Sequence, residues 1–176
     1  MRYSVFIAMT CLASMFAGCR DVPVVDLPSN NGDTLKEHMI NANRHIANSE
    51  ALQIAEYAHR RGWEMTPLSG GTWLLEVKAG HGVRVEFDDT VSIRYRMEAL
   101  NGTVLYAEKE ETVLPGRLQP TRGLAVGLLA LREGSRACVI VPSEQGYGVA
   151  GDGNAVKSRL VLVYDVEVLT VNKQKK

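Results

Sequence analysis

Residues 121–169 read TRGLAVGLLALREGSRACVIVPSEQGYGVAGDGNAVKSRLVLVYDVEVL, and this stretch decides the fold. Arg122–Leu131 is a short apolar helix closed by Gly134, and Arg136–Val141 follows as a strand. Side chains alternate along a strand, so Ala137, Val139 and Val141 share one face. Leu160–Leu169 is a second strand, with Leu160, Leu162, Tyr164, Val166 and Val168 opposite Asp165 and Glu167. Between them runs a long loop, Pro142–Arg159, that carries Gly146-Tyr147-Gly148 and Gly151-Asp152-Gly153. Two half-buried strands joined this way imply a sheet wrapped around the helix, with Tyr147 over the gap. Gly123 and Gly127 each lower helix stability by up to ~1 kcal/mol relative to Ala, so the helix has to be held by that sheet.

Upstream, Thr90–Glu98 alternates cleanly, with Val91, Ile93, Tyr95 and Met97 facing one way. Asn101-Gly102 is a hairpin signal leading into Thr103–Tyr106. Glu108–Glu111 is a charge run expected to be exposed, and Pro115 and Pro120 bracket a turn before the helix. Ser69-Gly70-Gly71 is another turn, and Thr72–Val77 reads as a strand after it. Asp33 or Thr34 opens a helical region in which Leu35, Met39, Ile40 and Ile46 recur at near-helical spacing. A break is expected at Ala47-Asn48-Ser49, then a second helical run, Glu50–Arg61, ending at Gly62. Trp63 and Trp73 are read as core or joining residues.

The words Arg122-Gly123, Gly134-Ser135-Arg136, Pro142, Gly146-Tyr147-Gly148 and Leu162–Leu169, in this order and spacing, resemble the FKBP-type peptidyl-prolyl isomerases. The resemblance runs from about Asp89 to Leu169 with one short deletion near Glu111–Pro115. It implies an α+β fold: an antiparallel sheet wrapped around a short helix, here preceded by a helical arm. Residues 63–88 would hold a connecting turn and first strands, 89–170 the FKBP-like domain, and 171–176 a solvated tail. The turn Lys78-Ala79-Gly80-His81-Gly82 after Trp73 is similar to the segment that leads into such domains in bacterial lipoproteins.

The same resemblance implies the site. Tyr95 and Tyr147 would be the catalytic tyrosines, the hydroxyl of Tyr147 meeting a substrate carbonyl. Leu105, Tyr106, Leu124, Val156 and Tyr164 would line an apolar bowl for an X-Pro segment. This sequence departs from the family pattern at several of these positions. Leu124 replaces the usual floor tryptophan, Leu105 a phenylalanine, Tyr164 a phenylalanine, Pro120-Thr121 an aliphatic pair, and Tyr106 an aspartate of the pocket tyrosine's polar network. Two functions therefore stand: a weak isomerase, and a peptide-binding or scaffold protein that kept the fold and lost the pocket.

No nucleophile–base pair and no phosphate loop accompanies these residues, which fits a reaction requiring neither. No cofactor and no metal is expected. His38 and His45 lie ~10 Å apart along a helix, too far to share an ion, and His59 and His81 are isolated. Lys plus Arg and Asp plus Glu are both 20, so no basic field for nucleic acid exists.

The N-terminus carries a targeting pattern. Arg2 precedes the apolar stretch Val5–Gly18, which is shorter than the ~20 residues a membrane-spanning helix needs. Phe16-Ala17-Gly18-Cys19 is similar to a bacterial lipobox, so residues 1–18 are expected to be a signal peptide and Cys19 a lipidated N-terminus. Residues 19–32, rich in Pro, Asn and Gly, would be a flexible tether before a helical arm at 33–62. These readings imply a lipid anchor in the cell envelope and X-Pro segments of exported proteins as partners. Cys138 would be the lone remaining thiol, on the polar side of its strand, so no intramolecular disulfide is available. The FKBP-like pattern is complete without the arm, so removing residues 20–62 is expected to leave a folded core over 72–169.

Overall fold

The computed structural model describes residues 31–174. The signal-peptide and lipidation readings, residues 19–30 of the tether and the last two lysines lie outside this range. Two compact units divide the chain after Met39. Of the first, the described part is helical from Asn31 and exposes Leu35 and Met39.

The second unit, Ile40–Lys176, is built on a six-stranded antiparallel sheet. Its strands are β1 (Thr66–Pro67), β2 (Trp73–Lys78), β3 (Thr90–Ala99), β4 (Val104–Val113), β5 (Arg136–Val141) and β6 (Leu162–Asn172), in the order β1-β2-β5-β6-β3-β4. Helix α1 spans Asn31–Arg61 and α2 spans Arg122–Leu129. Among the described residues no helix is long and apolar enough to cross a membrane.

The alternation read in the sequence places the core. Val91, Ile93, Tyr95 and Met97 of β3, Val139 and Val141 of β5, and Leu162, Tyr164, Val166 and Val168 of β6 pack with Leu124 and Leu128 of α2. Thr121 caps α2: its hydroxyl oxygen accepts from the Leu124 amide at 3.3 Å. The two α2 glycines permit the close approach of helix to sheet. A Cβ at Gly127 would lie 2.9 Å from Val139 Cγ1, and one at Gly123 would collide with Val141. At Asn101-Gly102 the hairpin forms as expected, with the Gly102 amide bonded to the Ala99 carbonyl at 2.9 Å.

Four expectations are corrected. Helix α1 is continuous through Ala47-Asn48-Ser49, and it starts at Asn31, inside the expected tether. Asn and Ser lower helix stability by well under ~1 kcal/mol each, which packing overrides. Ile54, Tyr57 and Ala58 of α1 are buried, and Arg61 lies 3.8 Å over the Tyr57 ring. The helix ends where expected, with the Gly62 amide bonded to His59 O and the Trp63 amide to Ala58 O, both at 3.0 Å.

Cys138 is not on a polar face. With Ile140, Val161 and Val163 it forms a second apolar cluster under Ile54 and Tyr57, flanked by Trp63 and Trp73. The sheet centre is therefore buried on both faces, α2 on one side and α1 on the other.

The charge run Glu108–Glu111 is largely exposed, as expected, and forms part of β4, paired with β3 in the register Arg94↔Glu110 and Tyr95↔Lys109. Charges on a sheet's outermost strand disfavour pairing with another chain. Finally, β6 runs to Asn172, and the Lys173 ammonium reaches Asp89 at 2.9 Å and Glu86 at 3.2 Å, so this part of the tail is tied to the domain. Both strands of the 63–88 segment belong to the same sheet, since β1 pairs with β2 and β2 with β5.

Candidate functional site

Tyr164 sits near the start of β6 with no accessible surface, opposite Met97 of β3 and Val139 of β5. Tyr95 of β3 meets it edge-on, ring centroids 5.6 Å apart at 61°. Leu124, in the first turn of α2, and Val156, in the loop after β5, are buried in the same cluster. Leu105 and Tyr106 at the start of β4, and Tyr147 in the loop, pack against it half-buried. The structure thus brings all seven residues singled out in the sequence, five lining residues and the two tyrosines 95 and 147, into one place.

The loop is fixed by its own hydrogen bonds. Ser143–Gln145 forms a short helical turn, and the Ser143 carbonyl accepts from the Gly146 amide at 3.1 Å and the Gly148 amide at 2.8 Å. Tyr147 lies between those two amides. Further on, Asp152 Oδ1 accepts from the Asn154 and Val156 amides, each at 2.8 Å. Asp152 Oδ2 accepts from the Tyr106 hydroxyl at 2.5 Å, joining the loop to β4 across the cluster. Asn154 Nδ2 donates to the same Tyr106 oxygen at 3.3 Å.

Three groups that sequence reasoning missed complete the site. Glu111 Oε2 accepts from the Tyr95 hydroxyl at 3.1 Å and pairs with the Lys109 ammonium at 3.2 Å. The carboxylate that the family resemblance places at position 106 is thus supplied by another residue of β4. The register shift between Tyr95 and Met97, which no local pattern announces, sets which β4 side chains lie opposite Tyr95. Asp152 was visible as a turn-forming residue between two glycines, but its tyrosine partner is remote in sequence. Glu50 of α1, buried, bonds to the first residue of the helical turn in the loop.

Burial raises the pKa values of the site's phenols. Tyr95 is pushed up by burial and then by Glu111, and Tyr147 by burial and then by the charges of Asp152 and Glu111. Tyr164, the most buried, is raised well above the ordinary phenolic value. Its hydroxyl has Tyr147 and Thr121 as polar neighbours, yet makes no hydrogen bond of good geometry. The phenols therefore remain O–H donors through neutral pH. Asp152 moves the other way. Burial opposes its ionisation, but the hydrogen bonds from Tyr106 and the Asn154 and Val156 amides outweigh that and hold it below the usual carboxylate value.

The arrangement is closed. Leu124 and Tyr164 expose nothing, Tyr95 2% and Val156 4%. A cavity of about 290 Å³ does exist nearby, but it lies behind the loop, between α1 and residues 142–149, lined by Ile46, Glu50, Trp73, Pro142 and Val149. None of the aromatic cluster contributes to it. Among the described residues no three His, Cys, Asp or Glu side chains converge as metal ligands, and His38, His45, His59 and His81 are exposed.

Known proteins match this description. The sequence profile of the FKBP-type peptidyl-prolyl cis-trans isomerases matches residues 82–169, half of the chain, and the chain belongs to that family. A probable FKBP-type peptidyl-prolyl cis-trans isomerase of Haemophilus influenzae is 26% identical over 148 residues, covering 80% of this chain and 61% of that protein. The probable isomerase FkpA of Neisseria meningitidis is 25% identical over 154 residues, 86% of this chain and 56% of its own length. The chain thus spans about three-fifths of these two relatives. Among solved structures, an isomerase from Pseudomonas syringae pv. tomato superposes with a TM-score of 0.63 at 20% identity, covering 74% of this chain and 96% of that one. FkpA from Escherichia coli gives 0.60 at 22% identity, covering 82% and 73%. At such identities these two likenesses establish the fold.

Proposed function

We propose that this chain catalyses cis–trans isomerisation of X-Pro bonds in exported proteins, held at a membrane surface by lipid on Cys19. The observation that carries the catalytic part is the cluster of Tyr95, Leu124, Val156 and Tyr164 with Tyr147 at its rim, inside the family-matched segment. The barrier to X-Pro rotation, ~18–20 kcal/mol, comes from amide resonance, which is lost when the bond twists. An apolar surround favours the twisted, less polar amide over the planar one, and a donor aimed at the carbonyl fixes the segment for rotation. No group needs to form a bond or take a proton. Tyr147, half-buried and kept protonated, is the donor. Tyr95, locked to Glu111, shapes the wall, while Leu105 and Tyr106 form the rim. Because Leu124 and Tyr164 have no accessible surface, a prolyl ring reaches them only when the rim side chains move apart.

The test is an isomerisation assay on short X-Pro peptides. Acceleration by the parent chain is expected, with Tyr147→Phe lowering kcat/KM by about one hydrogen bond's worth, ~0.5–1.5 kcal/mol or up to about tenfold. A parent that gives no acceleration overturns this reading. The departures from the family pattern at Leu124, Leu105 and Tyr106 favour a second reading, a domain that binds peptides without turning them over, and X-Pro peptides bound without acceleration would establish it. The anchor is tested separately: Cys19→Ala is expected to move the protein from the membrane fraction to the soluble one, and retention on membranes overturns it.

A further inference from the structure

Helix α1 turns one face to the sheet, and along it Ile54 and Tyr57 are apolar and buried. One turn before Ile54, on the same face, stands Glu50, a carboxylate only 6% exposed. A carboxylate is rarely left so far from water unless its oxygens are bonded. Both oxygens of Glu50 are used on a single residue: Oε2 accepts from the Ser143 amide at 2.9 Å and Oε1 from the Ser143 hydroxyl at 2.5 Å. Such charge-assisted pairs are short and directional, and Ser143 is itself 3% exposed, so both partners are largely withdrawn from solvent. Ser143 is also the residue whose carbonyl collects the Gly146 and Gly148 amides on either side of Tyr147. A continuous chain of hydrogen bonds therefore runs from the arm helix, outside the family-matched segment, to the backbone that presents the Tyr147 ring.

We propose that Glu50 is a positioning residue: by gripping Ser143 it holds the Tyr147 loop in place and so sets the aim of the Tyr147 hydroxyl. The catalytic consequence rests on the isomerase reading above, whereas the holding of the loop does not. The arm helix is then a working part of the site. Because Glu50 acts through Tyr147, its loss can lower activity by no more than loss of the Tyr147 hydroxyl does.

The experiment compares Glu50→Ala, Glu50→Gln and Ser143→Ala in the full chain, with Glu56→Ala on the solvent side of α1 as the control. Glutamine keeps an acceptor for the Ser143 amide, and its amide group can partner the hydroxyl. The expected result is a several-fold fall in kcat/KM for Glu50→Ala, at most about tenfold, with Glu50→Gln close to the parent. In a Tyr147→Phe background, Glu50→Ala is expected to cause no further loss. Hydrogen exchange at the Gly146 and Gly148 amides is expected to quicken in Glu50→Ala and not in Glu50→Gln. A folded Glu50→Ala protein with parental activity, or losses that add fully to those of Tyr147→Phe, overturns the positioning role. If Glu50→Ala does not fold, the same comparisons are made on Ser143→Ala, which strips one of the two bonds and leaves the helix intact. A parent without isomerase activity removes the catalytic consequence, and exchange then decides alone: faster exchange confined to the loop upholds Glu50 as its holder, and unchanged exchange overturns it.

Discussion

A short hydrogen bond, Tyr106 to Asp152, helps join β4 to the loop over the aromatic cluster. Asp152 accepts it while also holding the Asn154 and Val156 amides, so its ionised form is bound more tightly in the folded chain than in the unfolded one. A carboxylate whose folded value lies below its unfolded value, about 3.9, contributes stability that is fully present above that pH. The contribution is lost as pH falls through the depressed folded value. Carbon-detected NMR titration is therefore expected to find Asp152 ionising below about 3.9, with exchange at Asn154 and Val156 quickening only at more acid pH. In Tyr106→Phe the midpoint should move upward toward the ordinary value. An Asp152 that titrates at or above the ordinary value in the parent would contradict the bond seen here. At this scale the sequence was legible for what each residue is and silent on its partners. Tyr95 was read as a pocket tyrosine, but its bond to Glu111 depends on how β3 and β4 register around an irregularity.

At the scale of elements, the strand faces were readable because alternation is a local property, and β3, β5 and β6 bury the side chains expected of them. What alternation could not convey is that the other face of β5 is covered too. Cys138 and Ile140 look solvent-facing until α1 is laid across them, and that packing joins residues remote in sequence. The correction changes what the arm is for. Removing residues 20–62 strips Ile54 and Tyr57 from the second cluster, so the truncated core is expected to lose stability rather than fold unaffected. A smaller perturbation measures the same contact. Ile54→Ala is expected to destabilise the chain by about 2–5 kcal/mol. Cys138 gives a second readout, because burial and then the Asp165 carboxylate push its thiol up to about 12, leaving almost no thiolate near neutrality. Labelling with a thiol reagent at pH 8 should therefore be slow in the parent and faster in Ile54→Ala. Rapid labelling of the native parent would mean that α1 does not cover the sheet.

The whole molecule carries as many acidic as basic residues, so near neutral pH no net charge drives it apart, and its pH limits are set by particular buried groups. On the alkaline side these are tyrosines in both clusters: Tyr57 on the sheet-facing side of α1, and Tyr95, Tyr147 and Tyr164 at the site. Burial is the first cause of the upward shift in each of the four. In the unfolded chain these phenols ionise near the ordinary value of about 10, where the folded chain still keeps them neutral. Their contribution to stability is therefore fully present below about pH 10 and is lost as pH rises through the raised folded values. Phenolate absorbance is expected to rise later in the native protein than in urea-unfolded chain, and its late rise should coincide with loss of the native fold signal. Isomerase activity should stay level from neutrality to about pH 10, since Tyr147 remains a donor throughout, and then fail together with the fold. Coincident phenolate titration of native and unfolded protein would contradict this. An activity that declines well below pH 10 in a still-folded chain would point to some group other than Tyr147 as the donor.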